Sequence, residues 1–405
     1  MSASSRSLSP PAEAHRAALY AVAGVAVFLA AWGLLHVTPW RLDQIIDTPI
    51  YRNYGLDIRN GEVPYRDFTP EYPPAALPVF VLPALVAQGD GGYRYWFGWE
   101  MALCGAAALL FVALCSRALA DGEGWLAARL AFVALAPLAL GSVFLTRFDL
   151  WPAALTAAAL AALLAGRDRL GMGVLGLATA AKLYPAVLLP LAVAWAGRRR
   201  GRGEALRATA VFVAVVLACF VPFLVLGPHG VLDSLHRQLR RPLQIESLGA
   251  GFLLAAHQAF GLGITMKSSS GSQNLVGTLP DVLAWLQTAL QAAALVWIWQ
   301  RFARGPMAGA RLARYAAAAV TAFVALGKVL SPQFLIWLVV LVPLVRRRVA
   351  WALLAAALVL TQGWFPYRYW DLVEHFDAPS SWLVPLRDLA LLGLLAALVL
   401  KTAPD

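Results

Sequence analysis

The chain has 405 residues, of which 60% are hydrophobic and 14% charged, and its formal net charge is +11. Soluble domains run about 45–50% apolar and about 25% charged, so this balance excludes a water-soluble fold and makes lipid the solvent. The positive charge does not point to nucleic acid, which would need a basic face on a folded domain. The arginines stand instead in short clusters between apolar stretches: Arg198–Arg200 with Arg202 and Arg207; Arg301, Arg304, Arg311 and Arg314; and Arg346–Arg348. That is the positive-inside pattern of cytoplasmic loops.

In chain order, residues 1–16 read as a cytoplasmic tail and 17–37 as an uncleaved first span. A signal peptide has an apolar core of only about 7–15 residues. Further apolar stretches lie at 74–88, 95–116, 126–145, 149–165, 170–196, 208–227, 281–300, 315–329, 332–345, 349–365 and 382–400. A span takes about 20 residues, so 74–88, 315–329 and 332–345 are short. The reading is an all-α integral membrane protein of about 12 transmembrane helices. Residues 17–400 form one membrane domain and 401–405 a second cytoplasmic tail. With the N-terminus inside, twelve crossings leave every arginine cluster and Lys401 inside. Segment 248–263 does not fit the parity and reads as a re-entrant or interfacial helix. The plain count also puts Arg147 and Asp149 inside and Lys182 in mid-span. Two half-helices meeting at Lys182, ahead of Pro185, are the alternative.

The outer segments are then 38–73, 228–280, a turn near 328–333, and 366–381. The first gathers Asp43, Asp47, Asp57, Glu62, Asp67 and Glu71 with four arginines and with Tyr51, Tyr54, Tyr65, Phe68 and Tyr72. Ile50 to Arg59 has Tyr51, Tyr54 and Ile58 at helical spacing, and Gly61 and Pro64 end that short amphipathic helix. A carboxylate at its start can accept a proton near the headgroups. Asp47 is the candidate, with Asp43 one turn earlier; the structural alternative for either is helix capping. Glu71 is either an acceptor ligand or a partner for a loop arginine. Tyr51, Arg66 and Tyr72 are further substrate-binding candidates of this loop. In the second loop Arg240 and Arg241, with Gln244 and Glu246, suit a phosphate or anionic headgroups. Lys182 and Lys328 interrupt apolar runs, which makes them functional candidates; Gln333 stands near Lys328. Cys104, Cys115 and Cys219 lie in apolar runs, and no metal-ligand spacing is present.

In order along the chain stand Asp47-x-x-x-Tyr51, Gly61-x-x-Pro64-Tyr65-Arg66-Asp67-Phe68, Glu71-Tyr72-Pro73-Pro74, Arg147-Phe148-Asp149, Lys182-Leu183-Tyr184-Pro185, Arg241 to Ser247, and Ser331-Pro332-Gln333-Phe334. This series resembles glycosyltransferase family 87, polyprenol-phosphate-mannose-dependent mannosyltransferases of actinobacterial type in the GT-C superfamily. The resemblance covers most of the chain. It implies a GT-C-like fold with a long first extracytoplasmic loop, and transfer of a hexose, mannose in the family, from a polyprenyl-phosphate carrier. The acceptor would be a glycolipid, a glycan or a protein at the outer face of the plasma membrane. It implies Asp47 as general base and demands no cofactor, while leaving a divalent metal open. The rival reading is a transporter or flippase for lipid-linked sugars. It would want polar residues along a path through the bilayer and, in many folds, internal repeats, none of which is evident.

Overall fold

Without water to satisfy them, backbone amides and carbonyls in a bilayer must pair within helices or closed barrels. The computed structural model, which describes residues 10–37, 39–40 and 44–400, takes the helical solution almost throughout. Asp43 and the chain ends lie outside the described residues.

The first part of the chain forms α1 (Pro10–Leu34), α2 (Thr48–Arg59), α3 (Leu77–Val86), α4 (Gly89–Ala118), α5 (Glu123–Leu140), α6 (Val143–Thr146), α7 (Leu150–Leu164), α8 (Asp168–Ala181), α9 (Leu189–Arg200) and α10 (Arg202–Leu226). Then come α11 (Pro228–Leu239), strand β1 (Leu243–Gln244), α12 (Leu248–Phe260) and the hairpin β2 (Thr265–Ser269) and β3 (Ser272–Val276). The chain finishes with α13 (Thr278–Arg304), α14 (Gly309–Ala325), α15 (Phe334–Val339), α16 (Arg348–Gln362), α17 (Tyr369–His375) and α18 (Ala378–Val399). Among the described residues six helices are long and apolar enough to cross a membrane: α1, α4, α5, α10, α13 and α18. Shorter apolar helices accompany them.

Helix α4 packs on α7, α7 on α8, and α8 on α10; α14 lies between α13 and α18. The alanines of α14 are almost all buried, since small side chains let helix backbones approach closely. α12 packs against α18 and α13.

One expectation changes, and at another point the stated alternative holds. Residues 74–88 do not form a full-length helix: a 3-10 turn at Pro74–Ala76 leads into the ten-residue α3. At 1.5 Å per residue α3 covers about half of a hydrocarbon core. It lies alongside α2, where Arg59 donates to the Ala84 carbonyl at 2.9 Å. A Cβ on Gly55 would strike the Phe80 carbonyl oxygen, so the close approach needs glycine. Residues 170–196 split at Lys182, which is extended, and α9 starts afresh after a 3-10 turn at Tyr184–Leu188. Pro185 and Pro190 explain the break, because proline removes a helical donor.

The arginine clusters cap helices. Arg198 donates to the Ala303 carbonyl at 2.6 Å, Arg311 to Phe302 at 2.7 Å and Arg314 to Leu398 at 2.6 Å. Each donates to a carbonyl in the last turn of a helix. Arg129 is fully buried, paired with Asp121 and donating to Ser116 and to the carbonyls of Pro343 and Leu344.

Candidate active site

The site is built where the first loop, the break at Lys182 and the second loop meet. A cavity of about 600 Å³ there is lined by Asp47, Glu71, Tyr72, Arg147, Lys182, Arg241, Gln244, Glu246, Lys328 and Gln333, among others. Nine candidates named from sequence therefore share one chamber with Arg147.

Asp47 occupies the N-cap position of α2, yet its side chain makes no cap hydrogen bond. The carboxylate is paired with Arg147 at 2.5 Å and accepts from the Tyr51 hydroxyl at 3.3 Å. Tyr51 itself is buried beneath it, its ring stacked on Phe80 with centroids 4.5 Å apart. Tyr51 therefore orients the acid and does not line the chamber. The contact puts Arg147 and Asp149 beside the first loop, which corrects the plain count of spans. The reason is the shortness of α7 and α8, which form a hairpin whose two open ends meet: Lys182 Nζ lies 2.6 Å from Asp149 Oδ1. The same oxygen accepts from the Trp337 indole at 2.7 Å. Lys182 also sits over the rings of Phe148, at 4.5 Å, and Trp337, at 5.3 Å, within cation–π range. Tyr184 stacks flat on Trp337, centroids 3.9 Å apart.

Glu71 faces Arg241 at 3.5 Å. Burial raises its pKa and the arginine opposes the shift. Glu71 thus holds both roles open, since it pairs with a loop arginine and still lines the chamber. Gln244 donates to Glu246 at 3.2 Å. Glu246 is buried, and desolvation pushes it up to about 7 against the pull of Arg387. Lys328 donates to the Leu239 carbonyl at 3.0 Å and has no carboxylate partner among the described residues. Burial lowers its pKa. Gln333 accepts from the Ser331 hydroxyl at 2.7 Å.

Two candidates do not reach the chamber. Arg66 is half exposed and occupied by Asp67 at 2.8 Å. Asp67 in turn accepts from the Val63 amide at 2.7 Å, and these partners hold its carboxyl down at about 2. The Pro64–Phe68 motif is therefore a braced turn. Arg240 caps α11 and points to the exterior. Asp43 is not described. Sequence reading passed over Arg387 and Asp388, paired at 2.7 Å inside α18, with Arg387 donating to the Glu246 carbonyl at 2.6 Å. Two charges inside an apolar 22-residue helix were the available signal. It also passed over the β2–β3 hairpin, whose tip closes on Glu71: a Cβ on Gly271 would lie 2.7 Å from Glu71 Oε1. Among the described residues no three of His, Cys, Asp and Glu gather as a metal site.

No curated protein matches the chain. The profile of glycosyltransferase family 87 matches residues 68–332. The matched stretch holds Glu71, Arg147, Lys182, Arg241, Glu246 and Lys328, and begins after Asp47. With a match over more than half its length and several membrane-length apolar helices, the chain is a multi-pass membrane glycosyltransferase and belongs to glycosyltransferase family 87.

Proposed function

We propose that the chain transfers a hexose, mannose by family resemblance, from a polyprenyl-phosphate carrier to an acceptor hydroxyl, with Asp47 as general base. The observation that carries this reading is one chamber holding a carboxylate, Asp47, together with the cations Arg147, Lys182 and Lys328. A glycosyl phosphate needs little acid help to leave; it needs positive groups where its charge develops. The acceptor oxygen attacks C1, its proton passes to Asp47, and the C1–O bond breaks with its electron pair going to the phosphate. Attack opposite the phosphate would invert C1.

The chamber wall supports a lipid carrier. It includes Phe220 of α10 and Trp285, Thr288 and Gln291 of α13, and both helices are of membrane-crossing length. Trp285 is 76% exposed, so that side of the chamber reaches a surface that lipid would cover. The arginine-capped helix ends support a cytoplasmic face opposite an extracytoplasmic site in the plasma membrane. Counting α8 and α9 as separate crossings and α3 as none again yields about twelve. The test is transfer from labelled polyprenyl-phosphate-mannose, with the intact protein beside Asp47→Asn. A lipid-linked sugar that crosses proteoliposomes without covalent transfer would favour the flippase instead.

A further inference from the structure

A second cleft, of about 690 Å³, opens where α9 ends and α8 and α10 begin. It lies at the other end of both α8 and α10 from the chamber, which is lined by Lys182, just past α8, and by Phe220, late in α10. Four arginines line the cleft, Arg167, Arg169, Arg200 and Arg207, against two carboxylates, Asp168 and Glu204. The carboxylates are engaged by two of the arginines. Asp168 is only 1% exposed and pairs with Arg200 Nε at 3.3 Å, so it fixes Arg200 and does not itself face a ligand. Arg200 also donates to the Gly166 carbonyl. Arg169 meets Glu204 through two bonds, from Nε at 2.9 Å and from Nη2 at 2.7 Å. Both guanidinium groups keep N–H groups to spare, since arginine carries five. Arg167 and Arg207 are exposed and make no hydrogen bond or ion pair among the described residues. The cleft therefore holds two positive charges in surplus, beside two arginines already fixed in place.

We propose that this cleft binds the phosphate of an anionic phospholipid, whose acyl chains lie along α10. Arginine receives a phosphate through paired N–H groups, and basic pockets between membrane helices take anionic head groups. The surroundings select a lipid over a soluble anion. Leu170 and Leu206 stand exposed at the cleft. From Leu206 an exposed stripe continues through Val213, Leu217 and Leu224 at helical spacing. Helix α10 is of membrane-crossing length, and little of it is buried in the protein. A soluble phosphate would meet the same arginines and leave the stripe unused. A zwitterionic head group brings a cation of its own, which the surplus positive charge repels. The bound phosphate would bridge α8 and α10, as the Arg169–Glu204 pair already does, so it should stabilise the fold. Neither the donor nor the acceptor of sugar transfer enters this inference.

The test titrates the detergent-purified full chain with phosphatidylglycerol and, separately, with phosphatidylcholine, and counts bound lipid by native mass spectrometry. Phosphatidylglycerol should bind at least about tenfold tighter and should raise Tm where phosphatidylcholine does not. Arg167→Gln combined with Arg207→Gln should weaken phosphatidylglycerol about ten- to thirtyfold, the worth of two cations near a lipid phosphate. Both side chains are exposed and unpaired, so the lipid-free Tm should not move. Arg167→Gln alone should weaken it about three- to sixfold. Arg199→Gln combined with Arg304→Gln removes the same charge outside the cleft, from helix ends joined by the Arg198 bond to Ala303, and should stay within about threefold. Equal affinity for the two lipids, or equal loss in the two double variants, overturns the proposal. Inorganic phosphate should leave Tm unchanged. A rise as large as the one phosphatidylglycerol gives would assign the cleft to a soluble anion and overturn the lipid.

Discussion

At the residue scale, Asp47 stands where a carboxylate ordinarily caps a helix, and its side chain serves Arg147 instead. The sequence showed the position and could not show the partner, which is 100 residues away and arrives only through the α7–α8 hairpin. Arg66 was a substrate-binding candidate of the first loop and Arg240 a phosphate candidate of the second, each from its neighbours alone. The turn at Pro64–Phe68 takes the first, and the C-terminus of α11 turns the second outward. Lys328 differs because it lines the chamber with no carboxylate to neutralise it among the described residues. A charged hydrogen bond contributes about 1.5–3 kcal/mol. Lys328→Ala should therefore raise the donor KM about ten- to hundredfold, whereas Arg240→Ala should leave it within about twofold. Steady-state kinetics with both variants checks this. Equal effects would remove Lys328 from the phosphate.

Glu246 adds a pH dependence. Burial moves its folded pKa from 4.5 to about 7; Arg387 and Arg147 pull it down and Asp388 pushes it up. The folded chain then holds a proton that the unfolded chain releases. That contribution to stability is present below about 4.5 and is lost as the pH rises through about 7. Its size is up to about 3 kcal/mol. Glu246→Gln should flatten the fall in Tm between pH 5 and 8 in nanodiscs. Identical slopes for both proteins would contradict the assignment.

At the element scale, α2 is the part most legible beforehand. Tyr51, Tyr54 and Ile58 set its face, and the observed Thr48–Arg59 nearly matches the expected 50–59. Hydropathy alone could not separate α3 from a span, because its ten residues are as apolar as one; glycine at 55 and its contact with Phe80 decide its place. Nor could hydropathy find the hairpin, whose strands pair with each other, with β1 and with the Ile245 amide. At the opposite end of α5 from its Gly141 cap, Arg129 joins α5 to α4 and to the turn after α15. Removing one partner of a buried ion pair costs about 3–5 kcal/mol. Arg129→Leu should lower stability by that order in a chaotrope or thermal unfolding series, although it does not line the chamber. A loss under about 1 kcal/mol would mean that Arg346, 3.7 Å from Asp121, takes over the pairing.

For the whole molecule, composition and arginine placement made the membrane class readable, and the loop motifs made the family readable. What they could not show was local parity. A helix break without a polar loop, as at Lys182, leaves no mark in a hydropathy average. In a background lacking the three native cysteines, Leu183→Cys and Ser270→Cys should react with a membrane-impermeant maleimide from the same side. Arg199→Cys should react only from the other. Labelling of Leu183→Cys with Arg199→Cys would restore an unbroken span over 170–196 and detach Lys182 from the site.

The most direct measurement is sugar transfer by the purified chain from labelled polyprenyl-phosphate-mannose to a native extract, run beside Asp47→Asn. General-base catalysis is worth about 10²–10⁴-fold. The intact chain should give a labelled product and the variant a loss of that order, with donor binding retained. Equal product from both proteins would contradict Asp47 as the base and move the proton acceptor to another carboxylate of the chamber.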